Sequence, residues 1–338
     1  MNFSVFPKRE KAIRPSTVLL MSPASLAEEV FTTDMLSELR ALVSLHDAVI
    51  TELTDTSRAA LREAELVIGG WSAPRISPTD APKLRALVYL GGVGSTCLND
   101  TAAWKHTGLE IANARSTNAI PVAEYALAMI LLDGKDAFSQ TRRFSAQRGA
   151  SPAAPTPHRV GNFRRTVGIV GLSHTAKTLI TLLRPFDIDV IAYSPELTPE
   201  LAAQLGIRAG TLEEVMATSD LVSLHQPLIA ATRGQINRSL LARMRDGATL
   251  LNTARGAVVD QGALDDELRS GRIRAILDVT DPEPLPAEHD LWALPNVVLT
   301  PHIAGSMGSE LHRMGQGAID EVRRFVAGKP FLNRETLQ

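Results

Sequence analysis

Residues 166–176 read TVGIVGLSHTA, a β-branched run that ends in a glycine turn and leads into a helical pattern. Valine and isoleucine favour a buried strand, and glycine permits the tight turn that joins a strand to the next helix. Five further apolar runs follow at residues 190–193, 221–224, 248–251, 275–278 and 297–299. Strands that alternate with helices predict βαβ units on a parallel sheet, so we expect a doubly wound α/β domain here.

A similar series precedes this stretch. Short strands are predicted at residues 17–21, 48–50, 66–68 and 87–90, with a helical stretch through Val43 after the first. A long helix is predicted from Val122 to about Phe138, because Pro121 suits its first turn. The proline-rich segment 149–157 is predicted to be a loop, and Met307–Ala327 a helix. The fold class is therefore α/β, with two doubly wound parallel-sheet domains.

Composition excludes several classes of protein. The 338 residues are 44% hydrophobic, which allows a sizeable core, and the net charge of −2 gives no sign of a nucleic-acid or membrane surface. Cys97 is the single cysteine, which excludes an internal disulfide and suits a reducing compartment. Residues 1–10 carry charges where a signal peptide needs an apolar core. We expect a cytoplasmic protein with no metal, no nucleic-acid partner and no membrane partner.

Three polar residues, Arg255, Glu283 and His302, lie in the segments that follow the last three predicted strands. Arg255 comes after the run 249–251, and a guanidinium can bind a carboxylate through two parallel hydrogen bonds. His302 follows Pro301, and an imidazole can donate a proton to a carbonyl oxygen as hydride arrives. Glu283 lies between two prolines, and a carboxylate near a histidine favours the protonated imidazolium.

Each of these residues also has a structural interpretation. Arg255 could form an ion pair with Asp260, His302 could be a satisfied strand-end histidine, and Glu283 could be an exposed loop acid. Together they favour hydride transfer on a hydroxy acid, which needs a cation, a proton shuttle and an acid to tune the shuttle.

The turn at Gly171 matches a dinucleotide-binding fingerprint incompletely. The fingerprint Gly-x-Gly-x-x-Gly/Ala brings backbone amides to a pyrophosphate, and here Gly171 and Ala176 match while Ser173 replaces the second glycine. A Cβ at Ser173 would crowd the diphosphate, although its hydroxyl could donate a hydrogen bond. The alternative is a plain strand-turn-helix.

The sequence also departs from the dinucleotide-binding pattern at the position that selects between NAD and NADP. The acidic residue that binds the adenosine ribose should end the second strand, where Ser194 stands. Losing the carboxylate removes repulsion against a 2′-phosphate, yet no arginine follows to bind one. The choice between NAD and NADP stays open, and NAD is preferred.

Two features of the first half are candidates for substrate binding. Small residues in the run Gly91-Gly92-Val93-Gly94 can turn backbone amides towards an anion, although an ordinary strand-helix turn is the alternative. Trp71 follows another strand and could line a substrate pocket or pack in the core.

Three sequence segments, in their order along the chain, resemble those of the D-2-hydroxyacid dehydrogenase family, whose members include relatives of phosphoglycerate and glyoxylate/hydroxypyruvate reductases. The segments are NTARG at 252–256, DPEP at 281–284 and LTPH at 299–302, and the resemblance extends from about Thr17 to Lys329. It implies a Rossmann-type NAD(P)-binding domain over 120–305, inserted into a flavodoxin-like substrate domain formed by 1–119 and 306–338.

The resemblance also assigns roles to residues. Arg255 would anchor the substrate carboxylate, His302 would be the acid/base and Glu283 would tune it. Asp278 would bind the nicotinamide carboxamide, with a strand-end cap as the alternative. The expected cofactor contacts are Gly171, Ser173, His174, Thr175, Ser194, His225, Pro227, Thr232, Thr253, Ala254, Arg255, Asp278, His302 and Gly305. The expected substrate contacts are Val93, Gly94, Arg255 and His302, with Trp71 as a further candidate.

The implied activity is NAD(P)-dependent reduction of a small 2-oxoacid in a cleft between domains, by a homodimer whose interface includes the helix 122–138. Glutamine in place of Glu283 would instead resemble formate dehydrogenase. A phosphoglycerate dehydrogenase is ranked lower, because no added C-terminal regulatory domain and no basic cluster for a phosphate are evident. A nucleotide-sensing interaction protein on the same fold, as known for corepressor relatives, is the rival outside enzymes, and the altered glycine turn is its best argument.

Overall fold

The computed structural model describes residues 14–148 and 160–337. Within this range the chain forms two compact units. The first unit comprises residues 14–118 and 307–337, and the second comprises 119–306. The domain crossings expected from the sequence, at 119/120 and 305/306, differ from these by one residue each. The loop predicted at 149–157 and the charged start at 1–10 lie outside the described residues.

The strands are β1 Ser16–Leu20, β2 Ser44–Leu45, β3 Leu66–Gly69, β4 Ala86–Tyr89, β5 Glu110–Asn113, β6 Arg165–Val170, β7 Ile188–Tyr193, β8 Arg208–Ala209, β9 Leu221–Leu224, β10 Thr249–Asn252, β11 Arg274–Leu277, β12 Val297–Leu299 and β13 Arg334–Glu335. The α-helices are α1 Leu26–Val30, α2 Thr33–Leu42, α3 Asp55–Glu63, α4 Thr101–Lys105, α5 Arg115–Gly134, α6 Ala137–Gln147, α7 His174–Leu183, α8 Pro199–Leu205, α9 Leu212–Thr218, α10 Arg238–Leu241, α11 Gln261–Arg269 and α12 Leu311–Val326. Short 3-10 helices lie at Gly94–Cys97, Gly256–Val258, Asp290–Trp292 and Gly308–Glu310.

The first unit is built on a sheet with the order β13-β5-β4-β3-β1-β2. Its strands pair in parallel except β13, which runs antiparallel to β5. The order 2-1-3-4-5 is that of flavodoxin-like doubly wound folds, as expected from the sequence. Neighbouring residues on a strand face opposite sides, so Val18 joins one apolar cluster and Leu19 joins the other. Both faces of the sheet are therefore buried.

The second unit is built on a parallel sheet with the order β12-β11-β10-β9-β6-β7-β8. Strand order reverses between β6 and β9, which is the Rossmann-type arrangement. The six strands predicted here are confirmed, and β8 adds a short edge. Leu250 and Leu251 face opposite clusters, so this sheet is also covered on both faces.

The long helix of the sequence analysis begins earlier than predicted. α5 begins at Arg115 and includes Pro121, and it ends at Gly134 rather than near Phe138. Proline removes one helical hydrogen bond, but α5 buries Ala119, Pro121 and Ala123, and this packing outweighs the local loss.

Two local predictions in the first unit were incomplete, and one strand was not predicted. The helical stretch through Val43 is two helices, because the Thr32 hydroxyl accepts from the Met35 amide and starts α2 anew. The strand predicted at 48–50 is reduced to a single bridge between Ile50 and Leu20, and β2 forms earlier. β5 was not predicted, because its sequence, Glu-Ile-Ala-Asn, lacks a β-branched run.

The helix predicted over Met307–Ala327 is confirmed as the 3-10 turn at Gly308–Glu310 followed by α12. Within 14–148 and 160–337, no helix combines the length and apolar character that crossing a bilayer requires.

Candidate active site

The carboxyl ends of three neighbouring strands bring the predicted catalytic residues to one edge of the second sheet. Asn252 at the end of β10 pairs with Leu277 of β11, and Leu277 pairs with Leu299 of β12. Adjacent strands lie about 4.8 Å apart. Arg255 and His302 each follow their strand by three residues, so both lie at this edge.

His302 and Glu283 form a direct pair. The imidazole Nδ1 lies 2.5 Å from Glu283 Oε1, with 52% of the histidine side chain and 40% of the glutamate side chain exposed. Nδ1–H donates to the carboxylate, so the ring presents its other nitrogen, Nε2, for proton exchange. Among the described residues, Nε2 has no hydrogen-bond partner. The pair is thus open to solvent and to a small substrate.

The backbone of His302 is fixed by Asp278. His302 has φ +55°, and its amide donates to the Asp278 carbonyl at 3.1 Å. The Asp278 carboxylate accepts from the amides of Ile303 at 2.8 Å and Ala304 at 3.0 Å, and from the Thr300 hydroxyl at 2.6 Å. Asp278 is only 2% exposed. Its observed role is to hold the histidine loop, which corresponds to the strand-end alternative; its predicted contact with a carboxamide stays a prediction.

Tyr125 extends this hydrogen-bonded group and was not identified from the sequence. Its hydroxyl lies 2.7 Å from Thr300 Oγ1. Burial raises the pKa of Tyr125, so the phenol stays neutral. Thr300 lies within the LTPH segment, which the sequence analysis had already singled out. Tyr125 lies inside α5, and no sequence motif marks it as a site residue.

Arg255 is exposed and has no carboxylate partner among the described residues. Its Nη1 donates to the Ala254 carbonyl at 2.6 Å. Asp260, the partner considered in the structural interpretation, instead caps α11 by accepting from the Ala263 amide at 3.0 Å. The guanidinium is therefore available to an external anion.

Asn252 closes the turn that carries Arg255. Its side-chain amide donates to the Arg255 carbonyl at 3.0 Å, and its side-chain oxygen accepts from the Ala254 amide at 3.0 Å. Gly256 then packs against the backbone of Thr280 and Asp281, where a Cβ would lie 2.6 Å from the Asp281 nitrogen. The arginine turn and the segment leading to Glu283 are thus in direct contact, and only glycine permits it.

The turn after β6 is folded as a strand-turn-helix despite Ser173. Gly171 has φ +91°, and a Cβ there would lie 2.6 Å from the Gln226 amide nitrogen. Ser173 has φ −68° and ψ 174°, which any residue adopts, and its hydroxyl accepts from the Ala176 amide at 3.3 Å as the cap of α7. Ser173 therefore stands where the fingerprint has its second glycine, and its side chain caps α7.

The same turn retains features of an anion site. Among the described residues, the amides of His174 and Thr175 at the start of α7 have no acceptor. The first amides of a helix lack internal partners and carry a partial positive charge, which favours an anion such as a phosphate.

Two buried polar atoms beyond neighbouring strands also lack partners. They are Gln226 Oε1, after β9, and Thr253 Oγ1, after β10. An unsatisfied buried polar group costs about 1–3 kcal/mol, so a polar ligand at this edge would be stabilised by them. Gly171 and Gln226 lie side by side at the reversal of strand order, where α/β folds bind nucleotides. The residues present fit a dinucleotide.

Other predicted cofactor residues have local roles in the structure. The His225 ring is buried, its Nε2 lies 2.8 Å from Ser223 Oγ, and burial lowers its pKa to about 4. The Thr232 hydroxyl donates to the Pro227 carbonyl at 2.5 Å and closes the loop between them.

The remaining cofactor candidates are partly buried. The Ser194 hydroxyl accepts from the Glu196 amide at 3.4 Å. Ala254 packs on the edge of an apolar cluster. Gly305 follows the loop held by Asp278.

The first unit holds the other predicted substrate residues. Val93 is exposed, and Gly94 is buried with its amide donating to Glu335 Oε2 at 2.8 Å. Trp71 is partly buried and packs against an apolar cluster of its unit. The internal use of the Gly94 amide had no signal in the sequence, because Glu335 lies 241 residues away.

Comparison with known proteins identifies the family of the chain. The family model described as D-isomer specific 2-hydroxyacid dehydrogenase, NAD binding domain, matches residues 127–304. D-3-phosphoglycerate dehydrogenase of Mycobacterium leprae is 34% identical over 253 residues, which cover 74% of this chain and 46% of that protein. The chain thus spans about half the length of the phosphoglycerate dehydrogenases that it matches.

Solved structures match over nearly the whole chain. D-mandelate dehydrogenase of Rhodotorula graminis is similar with a TM-score of 0.77 and 26% identity, covering 96% of this chain and 98% of that one. A D-lactate dehydrogenase of Treponema pallidum gives a TM-score of 0.76 and 25% identity, covering 95% and 100%. The chain belongs to the D-isomer-specific 2-hydroxyacid dehydrogenase family.

Proposed function

We propose that this protein is an NAD(P)-dependent D-2-hydroxyacid dehydrogenase that acts mainly as a 2-oxoacid reductase. The observation that carries the proposal is the 2.5 Å pair of Glu283 and His302, at the same sheet edge as the exposed Arg255. Reduction of a 2-oxoacid requires a cation that binds the carboxylate and a proton donor for the carbonyl oxygen. Arg255 is such a cation, and His302 is such a proton donor.

The proton is assigned to His302. Gly171, His174, Thr175 and Thr253 would hold the dinucleotide, which when bound supplies hydride to the carbonyl carbon. As the carbonyl carbon is reduced, its oxygen gains negative charge, and the proton on His302 Nε2 neutralises it. Glu283 keeps Nδ1 protonated and the ring oriented, so that Nε2 gives the proton in reduction and accepts it in oxidation.

The substrate carboxylate is assigned to Arg255. A guanidinium binds a carboxylate through two parallel hydrogen bonds, which fix the orientation of the 2-oxo group as well as neutralising charge. Val93 is proposed as a further carboxylate ligand through its backbone amide, whereas the amide of Gly94, the other residue expected there, is bonded to Glu335. Trp71 is proposed as a residue that affects substrate choice.

NAD is the proposed coenzyme, with NADP as the alternative. Ser194 stands where a carboxylate would select the free ribose hydroxyls. Among residues 14–148 and 160–337, its hydroxyl accepts one hydrogen bond, a long one of 3.4 Å from the Glu196 amide. Within the described part of the chain, Asp278 Oδ2 accepts one hydrogen bond, from the Ala304 amide, and so retains capacity for a carboxamide N–H.

A homodimer in the cytoplasm is proposed as the working form. Leu132 on α5 is 43% exposed and Phe144 on α6 is 52% exposed, and large apolar side chains at the surface favour an interface. The single Cys97 suits a reducing compartment. Light scattering on the purified protein measures the assembly directly.

Phosphoglycerate dehydrogenase is the second candidate activity, favoured by the 34% identity to the Mycobacterium leprae protein. The two candidates differ in substrate and share the catalytic residues, so a substrate panel separates them.

The test is a coenzyme and substrate panel. NADH and NADPH are titrated by fluorescence, and their oxidation is followed with glyoxylate, hydroxypyruvate and bulkier 2-oxoacids, with 3-phosphoglycerate oxidation as a further arm. We expect turnover of at least one 2-oxoacid. Arg255→Lys, which keeps the charge and loses the bidentate geometry, should raise the KM of that acid by about tenfold or more. Tight coenzyme binding with no turnover of any acid would contradict the proposal and favour a nucleotide sensor.

A further inference from the structure

The C-terminal strand of the first unit places a carboxylate against the 91–95 loop. β13 pairs with β5, with Glu335 opposite Ile111. The Glu335 carboxylate accepts from the amides of Gly94 at 2.8 Å and Ser95 at 3.1 Å, and from the Asn113 side chain at 2.9 Å. Three N–H donors thus converge on one side chain.

This carboxylate replaces a local helix cap. The 3-10 helix Gly94–Cys97 begins after Val93, which provides no side-chain cap. Burial raises the pKa of Glu335, but the bonds from Asn113, Gly94 and Ser95 lower it to below the ordinary value, so the side chain is charged at neutral pH. Charge-assisted bonds of this kind are roughly twice as strong as neutral ones.

Packing fixes the loop at the same point. A Cβ on Gly94 would lie 2.7 Å from Ile111 Cγ2, so the glycine lies directly against β5. The Gly92 carbonyl accepts from Arg115 Nε at 2.5 Å. In a trans peptide the carbonyl and the next N–H point in opposite directions, so the Val93 N–H is directed away from Arg115.

The four consecutive amides of the loop therefore divide into two pairs. Each N–H carries one proton, and those of Gly94 and Ser95 are used by Glu335. The amides of Gly92 and Val93 have no acceptor among residues 14–148 and 160–337. This division refines the expectation that Val93 and Gly94 bind the substrate.

We propose that Glu335 is a positioning residue for substrate binding. It holds the Gly94 and Ser95 amides, and this leaves the two preceding amides of the loop to receive the substrate carboxylate. The inference rests on the proposed 2-oxoacid reductase activity. Without Glu335 the loop loses its cap, and the outward amides lose their fixed direction.

The test compares Glu335→Gln and Glu335→Ala with Arg334→Gln, a change at the exposed neighbour on the same strand. Gln keeps one acceptor oxygen and removes the charge, so it should have the smaller effect. We expect Glu335→Ala to raise the KM of the 2-oxoacid about tenfold, with kcat and the KM of the coenzyme nearly unchanged. Arg334→Gln should behave as the wild type.

Two results would overturn the inference. One is a lower melting temperature of both Glu335 variants with an unchanged KM of the acid, which would show a purely structural role. The other is a lower KM of the acid, which would show that Glu335 competes with the substrate. If wild type and Arg334→Gln reduce no 2-oxoacid, the proposed function itself fails, so the two failures are distinguishable. If Glu335→Ala does not fold, Glu335→Gln decides the matter.

Discussion

His302 adopts a backbone conformation that few residues other than glycine adopt. Its φ of +55° costs on the order of 1–3 kcal/mol, and the hydrogen bonds from the following loop to Asp278 hold it in place. The conformation leaves Nδ1 facing Glu283 and Nε2 without a partner in the described chain. This costly backbone conformation orients the imidazole that we propose as the proton donor.

A second histidine, His225, is buried, and its ring is hydrogen-bonded to Ser223. Burial lowers its pKa from 6.5 to about 4, so the ring is neutral in the folded protein. The unfolded chain takes up a proton below pH 6.5 while the folded protein does not. The stability due to the neutral ring is therefore complete above pH 6.5 and is lost as the pH falls towards 4.

We expect the free energy of unfolding to fall by on the order of 3 kcal/mol from this group between pH 6.5 and 4. Urea titrations at pH 7.5 and at about pH 4 span this window and measure the change. His225→Gln should reduce the dependence on pH, and His106→Gln, at an exposed position, should leave it as in the wild type. A His225→Gln protein with the full wild-type dependence would show this assignment to be wrong.

At the scale of elements, the turns that follow the strands position the residues of the candidate site. α7 begins at a serine cap where the dinucleotide fingerprint has glycine. Ser173→Ala removes the capping oxygen and should lower the free energy of unfolding by about 1 kcal/mol, whereas Ser173→Gly should cost only a few tenths. Denaturant titration measures both, and equal losses in the two variants would contradict a capping role.

The arginine turn depends on a glycine contact with the next loop. Gly256→Ala places a Cβ 2.6 Å from the Asp281 nitrogen, so the turn that carries Arg255 and the segment leading to Glu283 must separate. We expect a loss of about 1–3 kcal/mol and a large drop in kcat. Gly262→Ala in α11 is the matched control, since its nearest neighbour is the Asp260 carboxylate at 3.7 Å. It should be neutral or stabilise by roughly 0.5–1 kcal/mol; equal stability of the two variants would contradict the packing argument.

Sequence patterns identified the elements whose signal is local. β6 and β10 are rich in Val, Ile and Leu, and the segments around Arg255, Glu283 and His302 could be placed at strand ends. α5 could not be delimited, because burial overrides Pro121. β13 has two residues, and its partner β5 lies more than 200 residues earlier. Tyr125 and Glu335 act through contacts of this long-range kind, which no local pattern encodes.

For the whole molecule, each unit presents polar residues at the carboxyl edge of its own parallel sheet. In the second unit this edge holds Arg255, Glu283 and His302, together with unsatisfied atoms of Gln226 and Thr253. In the first unit the 91–95 loop follows β4 and is held by Glu335. Doubly wound folds bind ligands at this edge, so each unit offers a candidate ligand-binding edge of its own.

The most direct test of the account is the kcat of a His302 variant on the 2-oxoacid identified by the panel. His302→Ala should lower kcat by about 10²-fold or more, because general acid catalysis is lost. His302→Asn, which tolerates the left-handed backbone, separates this loss from an effect on folding. Fluorescence titration should show that both variants still bind NADH. Near-normal turnover by either variant would contradict the assignment of His302 as the acid/base.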